Sequence, residues 1–262
     1  MAALHISLTA EKVGSIFGFP ITNSLLTSWV SLGLLIWFSL LATKKTSLIP
    51  SNIQLIAEIL IEGIHDLFKS IVGEKNISRF FPLLATIFLF VIVGNWIGLL
   101  PGVGTLGLKR EKSTETHTLS ATNSTTKAQL KFIPLFRGST ADLNTTLALA
   151  LIAVVSIQYF GIRDLKLAYF KKFINLSNPI MFFVGILELI SEVSKIISFA
   201  FRLFGNMFAG EVLLTVIGSL VPIIAPLPFL GLEIFVGFIQ ALVFSMLTAV
   251  FLSMAVSVQE QH

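Results

Sequence analysis

Charged side chains lie inside a long apolar stretch at residues 178–211, and they constrain the fold more than any other feature of the chain. Arg202 stands among Phe201, Leu203 and Phe204. An arginine at the centre of a bilayer costs at least about 2.5 kcal/mol, because its guanidinium does not give up its proton. Lipid cannot satisfy such a group, so it must face protein, water or another polar surface. The stretch is therefore the candidate functional site.

Helical spacing places the polar residues of this stretch along one stripe, since successive residues turn by about 100°. The stripe consists of Glu188, Glu192, Lys195, Arg202 and Asn206, with Ser191 and Ser198 beside it. Two hypotheses fit this pattern. The charges can be paired inside a helix bundle and hold it together, or they can line a path for ions.

Composition predicts an all-α polytopic membrane protein, because 55% of the residues are hydrophobic and only 12% are charged. The chain contains no cysteine, which excludes disulfides, thiolate metal sites and thiol catalysis. None of its four histidines pairs with another at metal-ligand spacing, so we expect no metal and no cofactor. The net charge of +4 lies mostly in loops, which indicates orientation and lipid contact rather than nucleic-acid binding.

Apolar runs predict about five membrane-embedded helices and one interfacial amphipathic helix. Lys44 and Lys45 follow the first run and favour a cytoplasmic exit, hence an N-terminus outside and a C-terminus in the cytoplasm. Before the charged stretch, the predicted segments are a surface segment at 1–24, a span at 25–42, the amphipathic helix at 51–72, a span at 80–101, an extracytoplasmic loop at 102–141 and a span at 142–162.

The last two helices, at 179–218 and 230–256, are predicted to form a tilted hairpin, because each exceeds the roughly 20 residues that cross a bilayer upright. A turn near residue 221 brings Arg202 to the depth of Gln240, and Glu211 to the depth of Glu233. Glu188 lies about 21 Å from Arg202 along the helix, and Glu211 lies about 13 Å beyond it on the opposite face. Two offset polar routes therefore meet near Arg202.

The run RLFGNMFAGE at 202–211 closely resembles the signature of subunit a of the F-type ATP synthase family. Most of the second half of the chain shares this resemblance, whereas the first half shares it mainly through GNWIGLLPG at 94–102. The other similar runs are TADLNTTLALA at 140–150, GILELISEVSKIISFAFR at 185–202 and FIQALVFSMLTAVFLSMA at 238–255.

The resemblance implies a stator that lies against a ring of c subunits, each with one membrane-embedded carboxylate, and that joins b-type peripheral stalk subunits and the rest of the complex. Arg202 would discharge each ring carboxylate and prevent leakage between two half-channels. The outer half-channel would be lined by Asn206, Glu211, Glu233 and Gln240, and the cytoplasmic one by Glu188, Ser191 and Lys195. The chain has no P-loop, so ATP would be made in another subunit.

Asp142 has two interpretations, a helix N-cap or, by the resemblance, an acid close to the outer ion path. Two features differ from the family pattern. A glutamate and a histidine commonly occupy the positions of Glu211 and Glu233, but here both are glutamates, so their titrations would be coupled. Glu192 is an additional acid that can pair with Lys195 instead of carrying ions.

Two other classes of function remain as alternatives. A secondary transporter or channel predicts an internal repeat and helices broken at mid-depth, and the chain shows no convincing repeat. A non-transporting scaffold predicts tolerance of neutral substitutions in the stripe. The sequence leaves the coupling ion open, H⁺ or Na⁺. From the long outer loop we expect a multi-pass protein of the bacterial inner membrane.

Overall fold

A computed structural model describes residues 10–16, 19–44, 52–100, 103, 107–111, 130–166, 169, 173, 179–221 and 224–257. Six long helices make up most of this part of the chain, and two strand pairs accompany them. The helices are α1 (Asn23–Thr43), α2 (Asn52–Val72), α3 (Glu74–Leu99), α4 (Leu143–Leu165), α5 (Pro179–Leu220) and α6 (Pro226–Val256). The strands are β1 (Lys12–Ile16) paired with β2 (Phe19–Thr22), and β3 (Gly107–Glu111) paired with β4 (Leu130–Pro134), both antiparallel.

The fold class predicted from composition, an all-α membrane protein with several spans, is confirmed. Among the described helices, α1, α3, α4 and α6 are long and apolar enough to cross a membrane. The charged helix α5 has 42 residues, so at about 1.5 Å per residue it is roughly twice as long as the hydrocarbon core is thick. Such a helix must tilt strongly or extend beyond the core.

The buried core lies where α3 packs against α6 and where α4 packs against both α5 and α6. Small residues such as Ala150, Ala153 and Ala241 are fully buried there. They allow close helix approach, the main source of association energy where lipid is as apolar as the side chains. The larger buried side chains at this centre are Phe80, Leu84, Val91, Ile157, Leu203, Phe244 and Leu252.

Helix α1 buries a polar face and exposes an apolar one, the reverse of a helix in a water-soluble protein. Trp29, Trp37 and Leu40 are more than half exposed, as expected for side chains that face lipid. The buried polar residues are Asn23, Ser24, Thr27, Ser28 and Ser31. The hydroxyls of Thr27, Ser28 and Ser31 donate to carbonyls four residues earlier, so α1 offers polar groups to the protein side of the bundle.

Helix α2 is amphipathic and lies beside α3. Ile64, Phe68 and Val72 are buried on one face, while Asp66 is exposed. Gly73 separates the two helices with φ of 81°, a left-handed conformation that side chains other than glycine rarely adopt. The chain thus turns sharply from the amphipathic helix into α3, which begins at Glu74 instead of the predicted residue 80.

The segment predicted as an extracytoplasmic loop, 102–141, requires a correction at its end. After the β3–β4 pair the chain enters the bundle, and Arg137, Ser139 and Thr140 are buried. The physical reason is a close backbone approach, because a Cβ built on Gly98 would lie 2.6 Å from Cα of Gly138. A short 3-10 helix, Ser139–Ala141, then leads into α4.

Several predicted features lie outside the described residues: positions 1–9, Lys45, residues 101–102, the polar centre of the loop at 112–129, and Pro222.

Candidate functional site

Arg202 lies on an exposed face of α5, between the exposed Phe201 and the fully buried Leu203. Within the described part of the chain, no carboxylate lies within ion-pair distance of its guanidinium. The same face carries small and polar side chains, namely Ser191, Ser194, Ser198, Gly205, Asn206 and Ala209. A helix with this face can approach another helix closely and present one fixed positive charge to it.

The predicted single stripe along α5 is divided in the structure. Glu192 is buried with 9% of its surface exposed, and Lys195 donates to its Oε1 at 2.7 Å. Arg202 and Asn206 are exposed. Glu188 is half-buried and Ser191 exposed. The pairing of Glu192 with Lys195, predicted as an alternative to ion transport, is therefore present.

A chain of hydrogen bonds continues from Glu192 into α4 and the segment that follows it. Gln158 donates to Oε2 of Glu192 at 2.8 Å, and the hydroxyl of Tyr169 donates to Oε1 of Gln158 at 2.6 Å. Burial, together with the negative charges of Glu192 and Glu188, raises the pKa of Tyr169 to about 12. Tyr169 therefore remains a hydroxyl donor at any physiological pH, and the network remains connected.

Gln240 of α6 is 4% exposed and accepts a hydrogen bond from Nδ2 of Asn206 at 2.6 Å. The position of the turn near residue 221 predicts that Gln240 lies at the depth of Arg202. The observed partner, Asn206, lies one helical turn further along α5. The Nε2 of Gln240 is buried without a protein partner. Buried polar atoms of this kind are usually satisfied by water.

Glu233 lies directly against Gly210, the residue before Glu211, because a Cβ at position 210 would overlap both carboxylate oxygens of Glu233. The hairpin therefore places Glu233 beside the residue that precedes Glu211, close to the predicted pairing of Glu211 with Glu233 at one depth. Glu233 is 3% exposed, and its Oε1 is buried without a partner.

Arg137 is a member of this site that sequence reasoning missed. Its Nε donates to Oε2 of Glu211 at 2.9 Å, and the arginine is 7% exposed. Its guanidinium also lies over the Phe208 ring, 5.8 Å from the centroid. Because Arg137 belongs to a segment that looked like polar loop, the signal that could have found it is a single arginine five residues before a helix N-cap.

Asp142 is the N-cap of α4, since its side chain accepts a hydrogen bond from the backbone N–H of Asn144 at 3.4 Å. It also accepts from Oγ of Ser24 at 2.9 Å and is 4% exposed. The N-cap interpretation of Asp142 is confirmed, and its carboxylate additionally ties α1 to α4.

Asn95 is a second residue whose importance the sequence did not reveal. It is fully buried in α3, accepts a hydrogen bond from the hydroxyl of Thr140, and donates from Nδ2 to the Gly237 carbonyl at 3.1 Å. Trp96 Nε1 donates to the Ile234 carbonyl at 3.1 Å. These bonds fix α6, and hence Glu233 and Gln240, relative to the 3-10 helix.

Comparison with known proteins assigns the family. The family model described as ATP synthase A chain matches residues 25–253. The chain is 37% identical to the chloroplastic ATP synthase subunit a of Stigeoclonium helveticum, covering 98% of this chain and 94% of that protein. It is 36% identical to the chloroplastic subunit a of Oedogonium cardiacum, covering 91% and 83%. It is also 36% identical to ATP synthase subunit a of Gloeobacter violaceus, covering 92% and 86%.

These matches extend over nearly the whole chain, and they include the charged helix α5 and the hairpin partner α6. The geometry is that of a membrane protein with an arginine exposed on a helix face and a buried polar cluster beside it. The chain therefore belongs to the ATP synthase A chain family, and its place is in the membrane sector of an F-type ATP synthase.

Proposed function

We propose that this chain is the stator that guides ions to and from the carboxylates of a rotating c-subunit ring, with Arg202 between two half-channels. The observation that carries the proposal is the exposed Arg202 guanidinium, which has no ion-pair partner among the described residues, on a face of small and polar side chains. A fixed positive charge favours the ionised form of a carboxylate that comes close to it.

The mechanism follows from that charge. During ATP synthesis a ring carboxylate reaches the cytoplasmic half-channel with its proton, loses the proton there, and passes Arg202 as an anion. It then takes a new proton from the outer half-channel and rotates into the lipid. Because Arg202 cannot lose its own proton, no proton passes from one half-channel to the other except on the ring.

The outer half-channel is formed by Asn206, Glu211, Glu233 and Gln240, with Asp142 near its outer end. Buried polar atoms without protein partners support this assignment: Oε1 of Glu233, Nε2 of Gln240 and Oγ of Ser139. Such atoms are ordinarily satisfied by water, and bound water would connect them to the outer surface.

The cytoplasmic half-channel is formed by Glu188, Ser191 and Lys195 on the N-terminal half of α5. Ser191 is exposed on the same side as Arg202, and Glu188 is half-buried. Lys195 forms an ion pair with Glu192 and lies 4.6 Å from the Phe251 ring centroid. Its charge is therefore neutralised, and it lines the half-channel without adding a free positive charge.

The partners that fit this assignment are the c-subunit ring, b-type peripheral stalk subunits, the rest of the ATP synthase and the lipid bilayer. We place the protein in a bacterial inner membrane, with its N-terminus outside and its C-terminus in the cytoplasm. The relatives from chloroplasts and from Gloeobacter violaceus make a chloroplast membrane the alternative location. ATP itself is made in the soluble sector, as this sequence has no P-loop.

The experiment that tests the proposal compares Arg202→Lys and Arg202→Ala in the assembled complex in vesicles. Lysine keeps a positive charge but lacks the planar fork, and its charge is lost more readily on burial, so Arg202→Lys should largely abolish ion-driven ATP synthesis. Arg202→Ala should abolish synthesis while ions still pass, because nothing then forces the ring carboxylate to discharge. Both variant complexes should assemble. An arginine at membrane depth costs free energy on insertion, so its replacement does not remove a contribution on which insertion depends.

Arg79 provides the matched control. It forms a two-oxygen ion pair with Asp164, at 2.6 and 2.7 Å, away from the proposed path. Arg79→Ala is expected to lower the amount of complex without uncoupling the complexes that form. Near-normal ATP synthesis by assembled Arg202→Ala complexes would show that the stator mechanism is wrong.

A further inference from the structure

We propose that Arg137 divides the work between the two outer glutamates: it holds Glu211 as a fixed anion and leaves Glu233 as the group that carries the proton. The inference rests on the proposed function, because it assigns separate roles within the outer half-channel. In this role Arg137 is a positioning residue that acts through Glu211 and does not itself exchange a proton.

The backbone that carries Arg137 is held firmly inside the bundle. Its N–H donates to Oγ1 of Thr27 at 3.2 Å, and the next residue, Gly138, is in close backbone contact with Gly98 of α3. The arginine itself is 7% exposed. A long side chain anchored in this way has already lost most of its freedom, so the position of its guanidinium is well defined.

Arg137 meets Glu211 with the geometry of a charge-assisted hydrogen bond, 2.9 Å from Nε to Oε2. Bonds of this type are roughly twice as strong as neutral ones. The side chain of Glu211 is 40% exposed, so the carboxylate is supported by the arginine on one side and by solvent or a partner on the other. Both features favour the charged form of Glu211.

Glu233 has the opposite environment. It is 3% exposed, and none of the ion pairs among the described residues includes it. Its Oε1 is buried without a partner. A buried carboxylate without a nearby cation is held more easily in its neutral form, so Glu233 can accept and release a proton where Glu211 cannot.

The Glu233 carboxylate rests on Gly210, the residue before Glu211, so the two glutamates occupy adjacent positions where α6 meets α5. Neighbouring carboxylates that are not neutralised share protons and titrate as a pair, which would retain a proton between them. The remaining buried acid of this cluster, Asp142, already accepts hydrogen bonds from the hydroxyl of Ser24 and from the backbone N–H of Asn144. With Arg137 in place, a proton from outer water binds Glu233 and is passed to the ring carboxylate, and Glu233 returns to its anionic state.

Three variants of the whole complex test this inference: Arg137→Gln, the double variant Arg137→Gln/Glu211→Gln, and Glu233→Gln. The measurement is potential-driven proton uptake into vesicles, divided by the amount of assembled membrane sector. Arg79→Gln is the matched control, since it breaks an arginine–carboxylate pair elsewhere in the bundle.

We expect Arg137→Gln to slow proton uptake by about tenfold, because an unneutralised Glu211 carboxylate would hold a proton on the outer glutamates and delay its release. The double variant should recover most of the uptake, because replacing Glu211 removes the carboxylate that Arg137→Gln alone leaves without its arginine. Glu233→Gln should lose about 100-fold, the usual contribution of a positioned proton-transfer group. Arg79→Gln should leave uptake per assembled sector unchanged.

A double variant as slow as Glu233→Gln would overturn the inference, since Glu211 would then carry protons itself, and the stator mechanism would still stand. Unchanged uptake in Arg137→Gln would overturn it as well. If Arg137→Gln fails to assemble, the double variant compared with Glu233→Gln decides the question alone. The proposed function fails by a different result, ATP synthesis that survives Arg202→Ala.

Discussion

At the scale of single residues, the site is governed by which polar groups have partners. Arg202 is exposed without an ion pair among the described residues, whereas Lys195 and Arg137 are each held by a glutamate. Because an unpaired charge at membrane depth is costly, we expect Arg202 to have a partner outside the described residues. In the proposed mechanism this partner is the ring carboxylate.

The first residue-scale prediction concerns Glu233. Glu233→Gln should slow coupled proton flow more than Glu233→His, because histidine restores a titratable group and approaches the pairing common in the family, whereas glutamine cannot take up a proton. ATP-driven proton pumping in vesicles measures the difference. Equal pumping rates for the two variants would contradict the relay role of Glu233.

At the scale of elements, the decisive feature is the entry of residues 135–141 into the bundle. Their position depends on Gly98, whose missing side chain lets α3 meet Gly138, and on the bonds that Thr27 and Asn95 make to Arg137 and Thr140. A segment between the β3–β4 pair and α4 thereby becomes part of the polar cluster.

Gly98→Ala tests this packing. Its Cβ would lie 2.6 Å from Cα and 3.0 Å from N of Gly138, and overpacking against backbone costs about 1–3 kcal/mol. We therefore expect the assembled complex to be inactivated at a lower temperature, and we expect slower proton uptake through the outer half-channel. Gly33→Ala is the control, since a Cβ there meets nothing within 4 Å and alanine favours a helix. Equal thermal inactivation of the two variants would exclude the close approach.

At the scale of the whole molecule, α5 differs from the other helices by exposing an arginine among apolar side chains. Helices α1 and α4 expose large apolar side chains such as Trp37 and Val155, as lipid-facing helices do. Helix α5 exposes Phe183 and Phe201 in the same way, and it also exposes Arg202. The predicted orientation places α2 on the cytoplasmic side and the β1–β2 pair outside.

Single-cysteine labelling tests that orientation, and the absence of native cysteine gives a clean background. Ser15→Cys in β1 and Asp66→Cys in α2 both replace exposed residues. A membrane-impermeant maleimide should label position 15 only from outside and position 66 only from the cytoplasmic side, because the lysines that follow α1 favour a cytoplasmic position for that end of the helix. Labelling of both positions from the same side would reverse or break the proposed topology.

Sequence patterns predicted the helices well because membrane insertion depends on length and local apolarity. The same principle made Arg202, Glu211, Glu233 and Gln240 visible as candidates, since a polar residue in an apolar helix has few explanations. The positions of helix ends were less accurate: α3 begins six residues before its predicted start, where amphipathic and polar residues continue the helix without an apolar signal.

What the sequence by itself determined is the class of protein and the candidate role of Arg202, because an arginine within an apolar run is visible from local composition alone. Only the tertiary structure decided which charges neutralise each other. Glu192 met Lys195 within one helix, a contact that helical spacing can predict. Arg137 and Glu211 are 74 residues apart, and no local pattern links them, because their contact depends on how α3, α5 and the 3-10 helix pack together.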